Sequence, residues 1–418
     1  MSFGKNTEMC GKAGAVNVPK IFIISEYVDP KINSTGYYWS KIINGVSAAF
    51  PRVAVICPES AKTEQYPFES NRVSIFPIAE SSYKKNHLLL RLLGLLNLSF
   101  KFFVKILQQV RKNDLIFSGT NPIFLLLCIA LSKKFIHFKW VLLVHDVFPN
   151  NLAAAGILDI SNPFYRFLDG LFSWAYRSAD ALIVIGRDME DLFKQKQITA
   201  QLIYQPNWVN KHEITPINRN QSALIQDLGW ENKVVFQFFG NAGRLQGIDN
   251  LLSAIEQVSD PRAAFLFIGE GSEFGAIQRY VKTHPQLPIA FIANADLCNR
   301  NEGLAACDVA LVSLRKGMRG VGVPSKSYFS LAADRAILGV VDASSELAKM
   351  IYENEGIGWH CDPDNPQKLA ALIDEICTLD LSLNVGKSRA LMERQYDEVL
   401  AIKQYVHTLN LISNTDHQ

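Results

Sequence analysis

The chain has 418 residues, of which 48% are hydrophobic and 20% charged, and its 42 Lys and Arg against 40 Asp and Glu give a formal net charge of +2. This length is too great for one ordinary domain, and the balanced charge gives no indication of a nucleic-acid partner. The seven cysteines form no C-x-x-C pair, a usage typical of a reducing compartment that argues against zinc fingers and disulfides.

Two features of the sequence bear on where the protein is found. Residues 1–19 are polar and lack the apolar core of a secretory signal, so we expect a disordered or extended N terminus. No stretch of about 18 residues is apolar and free of charge, so we expect no transmembrane helix. Both features predict a cytoplasmic protein.

Short apolar runs recur along the chain, with helical patterns between them. They are hydrophobic at every position, as parallel strands covered on both faces must be. Strands alternating with helices predict parallel α/β sheets. The predicted strands, in chain order, are 21–24, 53–57, 115–117, 141–144, 181–185, 202–204, 234–239, 264–268, 289–292, 309–314 and 336–341.

The strand pattern lapses over residues 206–232, which carry two prolines and many Asn and Gln residues, as a linker would. We predict two Rossmann-like domains, over 20–215 and 216–384, and a C-terminal helix and tail over 385–418 that crosses back onto the first domain. Within the first domain, apolar residues at helical spacing over 164–175 predict an amphipathic helix.

The segment 83–112 carries seven Lys and Arg residues and no acidic residue among many Leu and Phe residues. Its charges interrupt it too often for a spanning helix. A cationic helix with excess apolar surface is typical of one that lies in the headgroup region of an anionic membrane. The alternative is a core helix of the first domain whose lysines face water.

Glycine-rich turns follow two predicted strands of the second half, over 240–247 and 269–272. In open parallel sheets, ligands bind at the carboxyl ends of the strands. Glycine lets the backbone approach a phosphate there, and the following helix N terminus attracts the anion. Arg244 can add a charged contact to a diphosphate. A tight structural turn is the alternative for each turn.

A third turn, over 320–327, leads into a predicted helix that Ser325 can cap. Lys326 lies in the first turn of this helix, where the dipole disfavours a cation unless an anion is bound nearby. Lys326 is therefore a candidate phosphate ligand, and a solvent-facing lysine is the alternative.

In the first half, His145 and Asp146 follow directly after strand 141–144, so they face the predicted crevice. A histidine there can shuttle a proton or donate a hydrogen bond, and an aspartate can orient it or bind sugar hydroxyls. The alternative is a structural aspartate that caps the following turn. Glu26 and the stretch from Gly36 to Tyr37 follow the first strand, where Gly36 would let a helix start beside a ligand.

In their order and spacing, these residues resemble the family-four retaining glycosyltransferases, and especially the subgroup that builds bacterial surface polysaccharides such as O-antigen and capsule, including transferases of fucose-type amino sugars. The resemblance covers essentially the whole chain. The stretches that carry it are the Gly36 loop, 144–158, 178–193, 203–210, 238–255, 265–273 and 322–338.

The resemblance implies a GT-B fold, in which two Rossmann-like domains face a central cleft. The second domain would bind a nucleotide sugar, with UDP expected, and the first a lipid-linked saccharide acceptor. It also implies no metal and no cofactor, because positive side chains and helix ends would stabilise the departing diphosphate. His145 and Asp146 would lie at the catalytic centre, and Glu26, Gly36 and Tyr37 on the acceptor side. The residues implied on the donor side are Gly240, Asn241, Gly243, Arg244, Gln246, Gly269, Glu270, Gly271, Arg319, Pro324, Ser325 and Lys326.

The sequence departs from this family's pattern at six positions. Asn241 and Gln246 stand where the family has Arg and Lys after the strand, and Arg319 and Ser327 stand where it has the paired glutamates of the E-x7-E element. Asp334 and Ala336 stand where it has a later glycine and proline. Our hypothesis is that Arg244, Arg319 and Lys326 replace the missing positive charge.

The sequence therefore predicts a retaining, metal-independent glycosyltransferase that is peripheral on the inner face of the plasma membrane, through 83–112. Two alternatives remain open: a catalytically degenerate GT-B partner protein at the membrane, and a GT-B nucleotide-sugar epimerase. A dinucleotide oxidoreductase is disfavoured, because no G-x-G-x-x-G follows the first strand.

Overall fold

The computed structural model describes residues 20–59, 68, 72–79, 88–293 and 300–414. The predicted disordered or extended segment 1–19 and the beginning of the basic segment, 83–87, lie outside these residues. Within them, two parallel sheets are each flanked by helices.

The first sheet holds seven parallel strands within the described residues, in the order β3-β2-β1-β4-β5-β6-β7. These strands are β1 Ile21–Ile24, β2 Val53–Pro58, β3 Val73–Ile78, β4 Leu115–Ser118, β5 Lys139–Val144, β6 Ala181–Val184 and β7 Gln201–Tyr204. The helices among them are α1 Ser34–Ala49, α2 Leu88–Gln109, α3 Leu125–Phe135, α4 Asn150–Ala154, α5 Pro163–Ser178 and α6 Arg187–Gln195.

The second sheet holds six parallel strands within the described residues, in the order β10-β9-β8-β11-β12-β13. These strands are β8 Val234–Asn241, β9 Ala263–Glu270, β10 Ile289–Ala293, β11 Val309–Ser313, β12 Ala336–Val340 and β13 Gly358–Cys361. The remaining helices are α7 Ala223–Asp227, α8 Ile248–Ile255, α9 Phe274–Thr283, α10 Arg300–Ala305, α11 Lys326–Ala332, α12 Glu346–Glu353, α13 Pro366–Thr378, α14 Lys387–Gln395 and α15 Glu398–Asn414.

The predicted strands are confirmed, and the structure adds β3 and β13, which the sequence analysis missed. Both are edge strands of their sheets. Their sequences, VSIFPI and GWHC, carry polar residues, proline or glycine, which edge strands tolerate because one side is not covered. A search for continuous apolar runs therefore misses them.

Both sheets are doubly wound: strands are added outward in one direction from β1 and then in the other from β4, and likewise from β8 and from β11, so the strand order reverses between β1 and β4 and between β8 and β11. Right-handed crossovers place α1 on one face of the first sheet and α2, α3 and α5 on the other. The carboxyl ends of the strands and the loops that follow them form the crevice-facing edge of each sheet.

The helix predicted over 164–175 is present as α5, and part of its predicted apolar stripe faces the core. Of the stripe, Ala175 is fully buried and Leu168 and Trp174 pack against the core, whereas Phe164 and Phe167 are 58% and 63% exposed. The buried face also includes Phe172 and Tyr176, so it is rotated from the predicted stripe at the start of the helix. Helical spacing alone cannot distinguish two apolar faces.

The C-terminal segment crosses back onto the first domain, as predicted, although it is divided into α14 and α15. Helix α15 packs on α1, and the ring of Tyr405 lies 5.9 Å from that of Phe117 at the end of β4. A Cβ added at Gly45 of α1 would lie 2.3 Å from Ile402, which shows how close the two helices are. The return of the chain thus ties the second domain to the first.

A buried ionic cluster joins the two domains beside the linker. The carboxylate of Glu346, 1% exposed at the start of α12, accepts hydrogen bonds from Arg187 N at 2.7 Å, Arg187 Nε at 3.0 Å and Tyr204 Oη at 2.9 Å. Arg187 also pairs with the exposed Glu353 at 2.8 Å. One carboxylate of the second domain therefore satisfies donors from β7 and α6 of the first.

Glu346→Gln is expected to lower the free energy of unfolding by about 2 kcal/mol, because it removes the buried charge that Arg187 faces. Because Arg187 is partly exposed to solvent, we expect a smaller loss than for a fully buried ion pair. Glu353→Gln is the matched control, since Glu353 contacts the same guanidinium but is half exposed; its expected cost is below about 1 kcal/mol. Urea denaturation measures both, and equal losses would contradict the assignment.

Candidate active site

The two predicted glycine turns lie side by side in the second domain. In the β8–β9 pair Gly240 lies opposite Gly269, and both have positive φ, at 125° and 145°. A Cβ at Gly269 would lie 2.0 Å from Gly240 O, and one at Gly271 would lie 2.4 Å from Asn241 Oδ1. The glycines thus allow two loops to approach each other where any larger residue would separate them.

Gly269→Ala is expected to lower the free energy of unfolding by about 2 kcal/mol, because the backbone of Gly240 must shift to admit the methyl group. Gly275→Ala on α9 is the control: the added methyl group would lie 3.6 Å from the nearest atom, in the side chain of Arg279. Alanine favours a helix, so this variant should be at least as stable as the wild type. Thermal unfolding compares them, and an unchanged Gly269→Ala protein would refute the close packing.

Arg244 lies within the first glycine turn, on the surface of a cavity of about 330 Å³. This cavity lies between the domains, because Ala155 of the first domain lines it together with second-domain residues. Across it Arg315 Nη2 pairs with Asp249 Oδ2 at 2.9 Å. The lining residues are Ala155, Arg244, Ile248, Asp249, Glu273 and Arg315.

Lys326 begins α11 and points back at the glycine-turn segment. Its Nζ donates to Gln246 Oε1 at 2.7 Å and lies 3.7 Å from the ring centre of Phe238. Within the described residues no carboxylate lies within 4.0 Å of this nitrogen. Burial lowers the pKa of Lys326 to about 7. A buried ammonium group with no carboxylate beside it is a candidate anion-binding group.

The cap predicted for α11 is not made. Ser325 occupies the N-cap position in helical conformation, and its side chain accepts no hydrogen bond from the helix. Ser327 donates instead to Pro324 O at 2.7 Å, which tightens the turn before the helix. The prediction that Ser325 caps this helix was wrong, because its backbone already has helical angles rather than the extended ones of a capping serine.

Arg319 lies at the domain interface rather than beside Lys326. Its Nη2 is 3.5 Å from Asp191 Oδ2 of α6, and its backbone N–H donates to Asp342 at 3.1 Å. Lys349 lies 3.7 Å from the same Asp191 carboxylate. The guanidinium group of Arg319 therefore pairs with a carboxylate of the first domain.

His145 and Asp146 follow β5 and meet the second domain. Asp146 forms a backbone bridge with Gly322, and Val147 N donates to Val321 O at 2.8 Å. A Cβ at Gly322 would lie 3.0 Å from Asp146 Oδ1. The surrounding protein raises the pKa of Asp146 to about 6, although its side chain stays accessible from the cleft.

His145 is half-buried with its Nδ1 shielded from water, and removal from solvent lowers the pKa of the imidazole to about 4. Its ring stacks on Tyr38, with centroids 6.2 Å apart and planes inclined at 22°. Among the described residues Nδ1 has no hydrogen-bond partner. A histidine that is neutral at physiological pH can donate or accept one hydrogen bond to a ligand but carries no charge.

The predicted acceptor-side residues differ in their placement. Glu26 is half-buried directly after β1. Gly36 packs so tightly that a Cβ would lie 2.0 Å from Asp29 O. Tyr37 is 4% exposed, and its hydroxyl accepts from Asn210 N at 3.2 Å. The structure shows packing for Gly36 and Tyr37, and their contact with an acceptor stays a prediction.

Asp334, at the position where the resembled family has glycine, adopts a positive φ of 57°. Its carboxylate accepts from Gly386 N at 2.7 Å and Arg389 N at 3.1 Å, at the start of α14. Aspartate tolerates this left-handed conformation better than most residues. The departure therefore keeps the turn and adds a cap for the next helix.

Sequence reasoning missed Tyr38 and the Arg315–Asp249 pair. Tyr38 lies one residue after a predicted site residue, and the helical direction of α1 turns its ring to His145. Arg315 follows the end of β11, next to β8 in the sheet. Applying the strand-end rule to every strand would have found Arg315.

Three further observations concern only the part of the chain that the structure describes. No group of three or more His, Cys, Asp or Glu side chains is arranged to hold a metal ion. None of its helices combines the length and apolarity that crossing a membrane requires. Its cysteines are free thiols, at Cys57, Cys128, Cys307, Cys361 and Cys377.

Solved structures of known proteins share this architecture over nearly the whole chain. Sucrose-phosphate synthase from Thermosynechococcus elongatus aligns with a TM-score of 0.73 and 15% identity, covering 94% of this chain and 99% of that one. Anabaena HepE in complex with UDP and glucose aligns with a TM-score of 0.68 and 16% identity, with the same coverage. Two facing Rossmann-like domains with a returning C-terminal helix define the GT-B class, and the chain has this fold.

Sequence similarity shows which proteins of this class the chain is related to. The probable glycosyltransferase WbjE of Pseudomonas aeruginosa is 45% identical over 387 residues, which are 92% of this chain and 96% of that protein. A protein of Escherichia coli strain K12 assigned as the colanic acid biosynthesis glycosyl transferase WcaI is 21% identical over 93% of this chain and 99% of its own. No model of a known protein family matches. The chain belongs to the GT-B glycosyltransferases, and it is an enzyme of this family.

Proposed function

We propose that this enzyme transfers a sugar from a UDP-linked donor to a lipid-linked saccharide during surface polysaccharide synthesis, with retention of configuration and without a metal ion. The name of WcaI refers to colanic acid biosynthesis, and HepE was solved with UDP and with UDP-glucose, which supports these choices. We propose a peripheral position at the inner face of the plasma membrane, where such acceptors are available to a cytoplasmic enzyme.

Lys326 is the single observation that carries the proposal. Its ammonium lies beside Gln246, at one of the positions where the resembled family has a cation, and no carboxylate of the described residues neutralises it. A diphosphate leaving group would supply the missing negative charge. Arg244 at the neighbouring cavity adds a second cation on the same side of the cleft.

The first domain would provide the sugar-facing groups. Asp146 can accept hydrogen bonds from sugar hydroxyls when ionised, and neutral His145 can hold the transferred sugar through one hydrogen bond. Neither group needs to act as a covalent nucleophile. In the proposed course, the acceptor hydroxyl attacks from the face that the diphosphate leaves, and the departing phosphate takes up its proton. The bond from the sugar to the diphosphate breaks as the bond to the acceptor oxygen forms.

Incubation of the purified protein with a panel of labelled nucleotide sugars and a membrane extract tests this function. We expect label from one UDP-sugar in the lipid fraction, and the same yield when a chelator is present. Label that remains in the aqueous phase as a changed nucleotide sugar would instead favour the epimerase. No turnover with any donor would favour a degenerate partner protein, an alternative to which the uncharged Asn241 and Gln246 give some support.

A further inference from the structure

Three helices, α2, α3 and α5, form one layer on the same face of the first sheet. Helix α3 packs against α2 on one side and α5 on the other. Each helix leaves large apolar side chains on its outer side. The most exposed of them are Leu93 (56%), Leu96 (43%) and Phe100 (60%) on α2, Leu131 (42%) and Phe135 (69%) on α3, and Phe164 (58%) and Phe167 (63%) on α5.

These exposed apolar side chains are clustered on their helices. On α2 the exposed residues 93, 96, 100, 104 and 107 recur at helical spacing along most of the helix. On α5 the rings of Phe164 and Phe167 stack on each other with centroids 6.4 Å apart. Extended apolar surface of this kind is rare on a protein that stays in water and marks an interaction site.

The charge of α2, α3 and the segments that flank them is almost entirely positive, whereas α5 carries Arg166, Arg177 and Asp169, the last of which pairs with Lys196. Residues 88–139 contain eight Lys and Arg residues and one acidic residue, although the whole chain carries only +2. That acid, Asp114, is buried and accepts hydrogen bonds from the backbone N–H groups of Lys20 and Arg111. Lys134 lies over the ring of Trp174 on α5 at 5.4 Å, which places a cation within the apolar surface. Basic and apolar groups together match anionic headgroups above a hydrocarbon phase.

The layer also reaches the cleft. Ala155 lines the cavity beside Arg244, and the chain then continues through Ile157 and Ile160, which are 54% and 65% exposed, to Phe164. Exposed apolar side chains therefore recur from α5 to the mouth of the cavity between the domains, with the exposed Asp159 among them.

We propose that the docking face, formed by α2, α3, α5 and the connecting segment 157–167, lies on an anionic lipid bilayer and brings the cleft mouth to a lipid-linked acceptor. The acceptor part of this inference rests on the proposed function, but the bilayer contact does not. The docking face extends the predicted segment 83–112 by two helices, and its two most exposed rings, Phe135 and Phe167, lie outside that segment.

Flotation of the full chain with vesicles tests the bilayer contact without nucleotide sugar. We expect binding to mixed phosphatidylglycerol and phosphatidylethanolamine vesicles, weak binding to phosphatidylcholine, and loss of binding at high salt. Phe164→Ser/Phe167→Ser should lower the bound fraction by about tenfold. The matched control is Leu383→Ser/Val385→Ser, which changes two side chains between α13 and α14 that are 69% and 72% exposed and should bind like the wild type.

The outcomes separate this inference from the proposed function. Equal loss of binding in both double variants, or no binding of the wild type to anionic vesicles, would overturn the docking face even if the enzyme is active. A dimer in size-exclusion chromatography that only Phe164→Ser/Phe167→Ser abolishes, with no vesicle binding, would also overturn it and assign the face to a second copy. Unchanged transfer to a water-soluble acceptor with reduced transfer to a vesicle-embedded one is the expected result for the phenylalanine variant.

Discussion

Lys326→Met is expected to lower kcat by about a hundredfold to a thousandfold, the usual effect of removing one preorganised group that stabilises developing charge. Methionine keeps much of the volume beside Phe238 but carries no charge, so the fold should be retained. Lys316→Met is the matched control, because Lys316 is an exposed lysine of the loop after β11. Steady-state kinetics with the donor identified by the panel experiment measures both variants.

A second substitution tests whether the positive charge itself is required. Because Lys326 Nζ and Gln246 Oε1 are 2.7 Å apart, a lysine at position 246 can bring a cation to nearly the same place. Gln246→Lys added to Lys326→Met should therefore restore at least about a tenth of the lost kcat, since the requirement is for charge at a point rather than for one residue. Equal kcat in Lys326→Met and Lys316→Met would remove Lys326 from the mechanism.

Asp146→Asn is expected to lower kcat/KM by about thirtyfold to a hundredfold at neutral pH, the cost of losing a hydrogen bond to a charged acceptor. In the wild type the pKa of Asp146 is raised to about 6, so its carboxylate takes up a proton as the pH falls below that value. kcat/KM should then fall with decreasing pH in the wild type. His145, whose pKa is lowered to about 4, should add no inflection in this range.

The pH profile gives a readout that a general loss of structure would not produce. Asp146→Asn should remove the inflection near pH 6, whereas Asp227→Asn, which changes an exposed carboxylate at the end of α7, should keep both the rate and the inflection. An inflection near pH 6 that persists in Asp146→Asn would assign the titration to another group.

The sequence was sufficient for the two-sheet architecture, because parallel strands covered on both faces are continuous apolar runs that can be found one by one. The strands β3 and β13 were not predicted, because edge strands do not need a continuous apolar run. The predicted face of α5 was wrong at Phe164 and Phe167, which are exposed, because more than one side of this helix is apolar and only the packing against the sheet decides which is buried.

The candidate site was predictable where it depends on one strand and its following loop. Lys326 and Asp146 are such cases, and the structure places each at the predicted edge. Contacts between the two domains could not be predicted from the sequence. They include the pairing of Arg187 with Glu346 and of Arg319 with Asp191. No local pattern indicates that α6 and the second domain meet, so the interdomain role of Arg319 emerged only from the structure.

Calorimetric titration of the wild type and Lys326→Met with UDP, without metal ion, tests the central claim most directly. We expect the wild type to bind UDP, with affinity that falls between about pH 6 and pH 8 as Lys326 loses its proton, and Lys326→Met to bind at least about tenfold more weakly with little pH dependence. A wild-type protein that binds no nucleoside diphosphate would contradict the account and leave a glycosyltransferase fold without a donor site.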